Sequence, residues 1–495
     1  EGSFVKFKSV KTEEKGGLMN KSLEEVLIEY DNNGTLKTTH KSQGTDMGLY
    51  SCFLGFDTKD EELIEYERFI KESGINISVE YNPLEIKHPN TYKLRLKNSN
   101  EQHELIAIST GGGMLEVLSI DHERTSFIGD CYVTLFFLRA NADSSKLISY
   151  IEDAGIQIKE KNCKFISIAT FEKAEVDFLN KIKAFEEIDY IRILEPVLPI
   201  LSAKDIKLPF RSSNLMLQYN KDKNLQMWQL ALQYESARGN ITEGKVFEMM
   251  ESIVDILSNS IEKGKQGTKY ADRILHDQSV KFATMESNKT LLGSGLHNQI
   301  IRYVSVLMEV KSSMGVIVVA PTAGSCGVMP GAVFATSQYL GVSKADIVKA
   351  MLTAGIIGVF VAEKSTFSAE VAGCMAECGV GSGMAAAALC QLGGGTVEQC
   401  LGAASFALQN TMGMVCDPIA ARVEAPCIGK NVMTALNALA CANMALAAYN
   451  HLIPLDEVID AFDQVGRSLP REVRCTALGG LSVTPAAIKI DKTIN

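Results

Sequence analysis

Alternation of apolar and polar positions marks the first part of the chain. In residues 75–79 and 91–96 every second side chain is apolar, the period of a strand with one buried face. Asn32-Asn33-Gly34, between candidate strands, predicts a hairpin turn. From 131 to 199 the pattern predicts a strand at 132–138, a helix at 143–154, a strand at 164–169, a helix at 174–184 and a strand at 188–194. That order approximates the βαββαβ of a small ferredoxin-like module, with one strand not legible. Residues 201–220, with Pro209 and Ser212-Ser213-Asn214, read as a linker.

From residue 225 onward the period is helical, and Ala, Gly and Met replace strand formers. Runs such as 379–389 let helices approach closely. Leu340-Gly341 is predicted to end one helix, Ser343 to cap the next with Asp346 at its third position, and Thr396 to cap another with Glu398 in its first turn. The predicted architecture is multi-domain: an α+β N-terminal domain over residues 1–129, a ferredoxin-like module over 130–200, a linker over 201–223, and a mostly α-helical C-terminal domain over 224–495.

Composition narrows the classes. The chain has 495 residues, 46% apolar and 22% charged, as ordinary globular domains do. A net charge of −10 with no basic cluster argues against a nucleic-acid partner, since Lys221 and Lys223 flank an acid, Asp222. Residues 1–17 show no apolar signal-peptide core. The apolar stretches at 351–362, 384–392 and 435–448 fall short of the roughly 18–20 residues that span a bilayer, so no membrane partner is expected. Twelve cysteines in a chain of this size do not read as a disulfide scaffold, and most are expected in the core.

Three of the twelve stand in unusual contexts. Cys416 and Cys427 each have a proline within two residues, which disfavours continuous helix and fixes the chain direction. Cys374 precedes a Gly/Ala-rich helix, whose N-terminus favours thiolate, the metal-binding form. Three thiolates can hold three irons of a cubane and leave the fourth open. Spacing alone leaves both readings standing, a cluster or three buried core thiols.

Longer motifs add to this. They are Ser313-Met314-Gly315, the run from Ala320 to Pro330 that contains Pro321-Thr322-Ala323-Gly324-Ser325-Cys326-Gly327, Gly373-Cys374-Met375-Ala376-Glu377, Cys416-Asp417-Pro418, Pro426-Cys427-Ile428 with Asn431, Gly466-Arg467-Ser468-Leu469-Pro470 and Thr476-Ala477-Leu478-Gly479-Gly480. In this order, across about 225–490, they resemble the α region of the iron–sulfur-dependent L-serine dehydratases. The resemblance implies a 4Fe-4S cluster on Cys374, Cys416 and Cys427, with Cys326 and Cys378 as rivals. It implies substrate contacts from Thr322, Gly324, Ser325 and Asn431.

Gly44-Thr45-Asp46, Leu54-Gly55-Phe56-Asp57-Thr58, His88-Pro89-Asn90-Thr91 and Gly111-Gly112-Gly113 resemble the family's β part, fused here to an ACT-like module. They imply Thr45, Asp46 and Gly113 as substrate-binding residues and His88 as the histidine for proton transfer or substrate binding. The implied function is the dehydration and deamination of L-serine to pyruvate and ammonia, in a cytoplasmic homodimer acting on a small amino acid. Loss of water from serine needs a Lewis acid on the hydroxyl and a base for the α-proton, which a cluster and a side chain supply.

The resemblance has gaps: no Ser-Ser-His-Thr segment, Gln43 in place of His before Gly-Thr-Asp, Lys265-Gln266-Gly267-Thr268 in place of a Gly-Gly-Asp loop, and Cys475 in place of Glu before Thr-Ala-Leu-Gly-Gly. The metal site is intact and the substrate shell altered. Elimination from cysteine or threonine, and a non-catalytic cluster protein with a sensing or partner-binding role, are the alternatives.

Overall fold

The structure is a computed structural model. It describes residues 23–494 except 42–43, 57–59, 87, 112–113, 130, 171, 195–206, 240, 272 and 293–294. The described residues up to 194 form one compact unit, and those from 207 onward form another.

The N-terminal unit holds two sheets. The first comprises β1 (Glu25–Asp31), β2 (Asn76–Asn82), β3 (Thr91–Lys97), β4 (Gln102–Gly111), β5 (Met114–Ile120) and β6 (Glu123–Phe127), in the order β2-β1-β3-β4-β5-β6. Between β1 and β2 come α1 (Leu36–Thr39), α2 (Thr45–Leu54) and α3 (Tyr66–Ser73). The turn at 32–34 does not make the hairpin expected of it. Asp31 Oδ1 accepts from the Asn33 N–H at 2.9 Å, the chain continues into α1, and β1 pairs in parallel with β2 and antiparallel with β3. A parallel neighbour requires a crossover, here supplied by the helices.

The second sheet follows as β7 (Tyr132–Leu138), α4 (Ser145–Asp153), β8 (Ile158–Lys161), β9 (Phe165–Thr170), α5 (Val176–Lys183) and β10 (Ile188–Leu194), with strand order β10-β7-β9-β8. This is a ferredoxin-like βαββαβ. Its illegible strand is β8, a four-residue edge strand without a buried position. Central β7 is buried on both faces. Val133, Leu135 and Phe137 join the core of the first sheet, with Val26, Ile28, Leu94 and Leu105. Phe136 faces the other way, packing with Leu147 and Ile151 of α4 and Ile182 of α5.

The C-terminal unit is helical: α6 (Ser213–Asn220), α7 (Met227–Gly239), α8 (Glu243–Lys265), α9 (Gln278–Ser287), α10 (Gly295–Ser312), α11 (Val328–Leu340), α12 (Lys344–Lys364), α13 (Ala369–Ala372), α14 (Val380–Leu392), α15 (Val397–Thr411), α16 (Cys427–Leu446), α17 (Leu455–Ser468) and α18 (Pro485–Ile494). The predicted punctuation is present. Gly341 ends α11 at φ 66°, and Ser343–Asp346 and Thr396–Gln399 form capping boxes. Helix α14 is buried from Val380 to Cys390 and packs against α11, α12, α15 and α16. Its small residues permit four neighbours at close range.

One expectation changes here. The apolar run at 351–362 lies within the 21-residue α12, which by length and composition could cross a membrane. Its apolar window is 61% buried inside the structure, against α7, α8 and α14 among others. The run looked shorter in the sequence because Lys344, Asp346 and Lys349 occupy the first turns.

Candidate active site

Three separate stretches of the C-terminal unit meet at the cysteines. After α13, Gly373 adopts φ 71°, and a Cβ there would lie 2.8 Å from both Leu469 Cδ1 and the Met414 carbonyl oxygen. Only glycine fits this turn. A π-helical turn, Met375–Gly379, then leads from Cys374 into α14. The Met375 N–H donates to the Met414 carbonyl at 3.0 Å, which holds the stretch before Cys416 against the Cys374 turn. Cys416 N–H donates to the Val473 carbonyl at 2.8 Å, and Cys475 N–H donates to the Cys416 carbonyl at 3.0 Å. Cys427 opens α16.

Cys374 Sγ, a Glu377 carboxylate oxygen and Cys416 Sγ all lie within 4.8 Å of one another, and all three residues are buried. Cys475 packs into the same cluster as Cys374 and Cys416. Hydrogen bonds from the thiols of Cys378 and Cys416 hold Cys374 well below the ordinary thiol range, and the Lys430 ammonium assists against burial. Cys378 and Cys416 are pushed up in turn by bonding to it. Burial pushes Cys427 up, and the charge of Cys374 adds to this. The bond to Cys416 lowers Cys475, but burial and the nearby Glu370 and Glu377 outweigh it and leave the thiol at about 11.

Lys430 Nζ donates to the Val415 carbonyl and to Asp417 Oδ1, both at 2.6 Å. Burial opposes its charge, yet Cys374 and Asp417 more than offset that and raise its pKa. Buried thiols grouped beside a fixed ammonium form a soft sulfur-rich donor set. Such a set suits zinc or an iron–sulfur cluster, with the metal replacing the protons.

The Pro-Thr-Ala-Gly-Ser segment borders this group. Thr322 caps a short turn, Ala323–Ser325, in a reciprocal pair with Ser325, and its Oγ1 donates to Glu377 Oε1 at 2.7 Å. Asn431 Nδ2 donates to the carbonyls of Gly324 and Cys427, both at 2.9 Å, and lies 3.4 Å from Cys378 Sγ. Asn431 Oδ1 is buried and has no hydrogen-bond partner among the described residues. The structure therefore brings Thr322, Gly324, Ser325, Asn431, Cys374 and Cys427 together around Glu377. Cys326 turns away, its Sγ 3.8 Å from Met308 Sδ on α10.

Thr45, Asp46 and His88 belong to the N-terminal unit. Thr45 begins α2, and buried Asp46 accepts from Tyr30 Oη at 2.9 Å and contacts His40 Nδ1 at 2.8 Å through both oxygens. His40 Nε2 lies 2.8 Å from Tyr81 Oη. Half-buried His88 accepts at Nδ1 from the Asn90 N–H at 3.2 Å, and burial lowers its pKa against the pull of Glu116. Gln43 and Gly113 lie outside the described residues.

The C-terminal unit has known relatives. The family model for the serine dehydratase alpha chain matches residues 222–482, which contain all three cysteine stretches. The chain belongs to the serine dehydratase alpha chain family. It is 36% identical over 286 residues to the probable L-serine dehydratase alpha chain of Bacillus subtilis, covering 58% of this chain and 95% of that protein. With the L-serine dehydratase alpha chain of Peptoniphilus asaccharolyticus the identity is 36% over 271 residues, 54% of this chain and 92% of that one. The L-serine dehydratase of Streptomyces coelicolor is 28% identical over 298 residues, 57% of this chain and 63% of that one.

As a member of the serine dehydratase family the chain is an enzyme, a carbon–nitrogen lyase. Sequence reasoning did not single out Glu377, Lys430 or the His40–Asp46 contact. Glu377 had a signal, standing three residues after Cys374 and so on the same helical face. Lys430 had none, because its partners lie on another stretch. Lys265, suspected of altering the substrate shell, pairs with Glu262 at 2.7 Å and lies 4.7 Å over the Tyr303 ring, and these contacts do not reach the cysteine group.

Proposed function

We propose that this chain is an iron–sulfur-dependent L-serine dehydratase that converts L-serine to pyruvate and ammonia. Cys374, Cys416 and Cys427 are the proposed holders of a 4Fe-4S cluster. The observation that carries the reading is the buried group of Cys374, Glu377 and Cys416 inside the stretch that matches the family. When bound, such a cluster supplies a Lewis acid for the departing hydroxyl.

The remaining work falls to side chains. Asn431 Oδ1, an unused acceptor in a buried site, suits the substrate ammonium. Ser325 offers its hydroxyl to the carboxylate, and Thr322, its partner in the short turn next to Gly324, keeps that hydroxyl in place. Glu377, held by Thr322, is placed to keep a proton near the reacting carbon. In the N-terminal unit, His88 fits proton transfer because its lowered pKa keeps the ring neutral near pH 7. Thr45, Asp46 and Gly113 complete the proposed substrate-binding set.

We read the N-terminal unit as the family's β part joined to an ACT-type module, and the enzyme as a cytoplasmic homodimer. The product aminoacrylate needs no further catalysis, since it tautomerises and hydrolyses in water. The test is turnover by anaerobically reconstituted protein on a panel of L-serine, L-threonine and L-cysteine, reading pyruvate, ketobutyrate and sulfide. Pyruvate from serine is expected. No product from any of the three would sink the proposal.

A further inference from the structure

Arg273, in the helical unit, keeps one edge of its guanidinium empty. The side chain is 5% exposed. Its Nη1 donates to Thr268 Oγ1 at 2.6 Å and to Ser313 Oγ at 2.9 Å. Nε and Nη2 are buried and have no hydrogen-bond partner among the described residues. These two nitrogens lie on the same edge of the planar group and form a fork that fits a two-oxygen anion. The acids nearby do not fill it. Glu424 Oε2 lies 3.9 Å from Nε, beyond hydrogen-bond range, and the Glu424 carboxylate accepts instead from the Ile274 and Leu275 N–H groups at 3.1 and 2.9 Å. Asp277 Oδ1 accepts from the Thr268 N–H at 3.2 Å, and Glu309 Oε1 from the Gln278 and Ser279 N–H groups at 2.6 and 2.9 Å.

Backbone contacts tie this arginine to the stretch that leads into Cys427. Glu424 stands three residues before Cys427, and its carbonyl accepts from the Ile428 N–H at 2.9 Å. Lys311, at the end of α10, donates to the Val423 carbonyl and pins the same stretch. Arg273 itself follows Lys265-Gln266-Gly267-Thr268, where the resemblance expects a Gly-Gly-Asp loop, so no motif announces it. The dehydratase reading gives the substrate carboxylate one neutral donor, Ser325, and no cation. A buried cation with unused donors is costly unless an anion takes them. We infer that Arg273 receives the α-carboxylate of the amino-acid substrate, bidentate through Nε–H and Nη2–H. This rests on the dehydratase reading above. The Thr268 and Ser313 hydroxyls hold the opposite side of the guanidinium, so its plane is set before substrate arrives. A substrate amide would turn an N–H group toward one of these donors and leave it unpaired, so the fork selects a free carboxylate.

The test uses the full chain and its Arg273→Gln and Arg273→Lys variants, each reconstituted anaerobically and assayed for pyruvate from L-serine. L-alanine and L-alaninamide serve as competing ligands. Neither has a leaving group, and they differ only in carboxylate against amide. The unaltered chain should be inhibited by L-alanine at least tenfold more strongly than by L-alaninamide. Arg273→Gln should raise KM for L-serine tenfold or more with kcat within about threefold, and should inhibit equally weakly with both ligands. Arg273→Lys keeps the charge without the fork, so its KM should fall between the two. Equal inhibition of the unaltered chain by both ligands would overturn the inference. So would a variant that keeps the full preference for L-alanine, and Arg273→Lys decides this if Arg273→Gln does not fold. If the unaltered chain makes no pyruvate from L-serine, the dehydratase reading itself fails, and this inference goes with it.

Discussion

Replacing Gly324 with alanine tests the site through one methyl group. A Cβ at residue 324 would lie 2.6 Å from Glu377 Oε1 and 3.0 Å from its Cδ. Ordinary contact begins at 3.4 Å, so the carboxylate would have to retreat by about 0.8 Å. Oε1 also accepts from Thr322 Oγ1 at 2.7 Å, and a retreat of that size takes the bond to the edge of hydrogen-bonding range. A hydrogen bond to a charged group is worth about 1.5–3 kcal/mol, and a misplacement of about 1 Å near reacting atoms costs roughly 10²-fold in rate. The main change should therefore be in kcat, with a smaller loss of thermal stability. Anaerobic pyruvate formation, differential scanning calorimetry and iron content together check this. Iron should stay at the wild-type level, because no cysteine moves out of reach. A G324A enzyme with kcat within twofold of wild type would refute the role given to Glu377 and Thr322.

Single C374S, C416S and C427S changes should each abolish bound iron and the brown chromophore, whereas C441S should leave both, by iron and sulfide assay. Asn431→Ala removes the donor shared by two buried carbonyls, a loss of about 1–3 kcal/mol by chemical denaturation, and should raise KM for L-serine more than it lowers kcat. His40→Ala leaves buried Asp46 with Tyr30 as its remaining hydrogen-bond partner, so the N-terminal unit should unfold earlier, by about 1–3 kcal/mol, while the C-terminal helices hold. Burial lowers the pKa of His88 in the folded chain, so the unfolded chain binds more protons once pH falls below about 6.5. Its contribution to stability is present above that pH and is lost as pH falls through the folded pKa. Melting curves at pH 7.5 and 5.5 should accordingly show a smaller acid-side loss in H88Q than in the unaltered chain.

Legibility in the sequence followed the range of the interactions. Helix caps at Ser343 and Thr396 are local, and so is the αL glycine at 341, and all three could be read directly. Strands β7 and β10 could be read because both carry dense runs of apolar and β-branched residues. Strand β8 could not, since an exposed edge strand of four residues has no apolar face to declare it. The parallel pairing of β1 with β2 was hidden behind three helices, and the local turn at 32–34 pointed to a hairpin instead. At the site, motifs led to Cys374, Cys416, Cys427, Thr322 and Asn431. The thiol chain through Cys378 and Cys475 depends on tertiary folding of stretches far apart in sequence. Cys475 showed only as a departure from a resemblance, and that departure proved to sit beside Cys416.

The joining of three distant stretches at 373–375, 414–416 and 473–475 bears on the order of events in the cell. The cluster proposed above, held by Cys374, Cys416 and Cys427, would be inserted only after these stretches have been made and brought together. The apoprotein must therefore fold far enough to hold its thiols ready without metal, which the Met375–Met414 and Cys416–Val473 backbone bonds allow. Once inserted, the proposed cluster would clasp residue 374 to residues 416 and 427. Oxidative loss of iron would then loosen the joined stretches as well as stop turnover, so oxygen damage would mark the molecule for proteolysis.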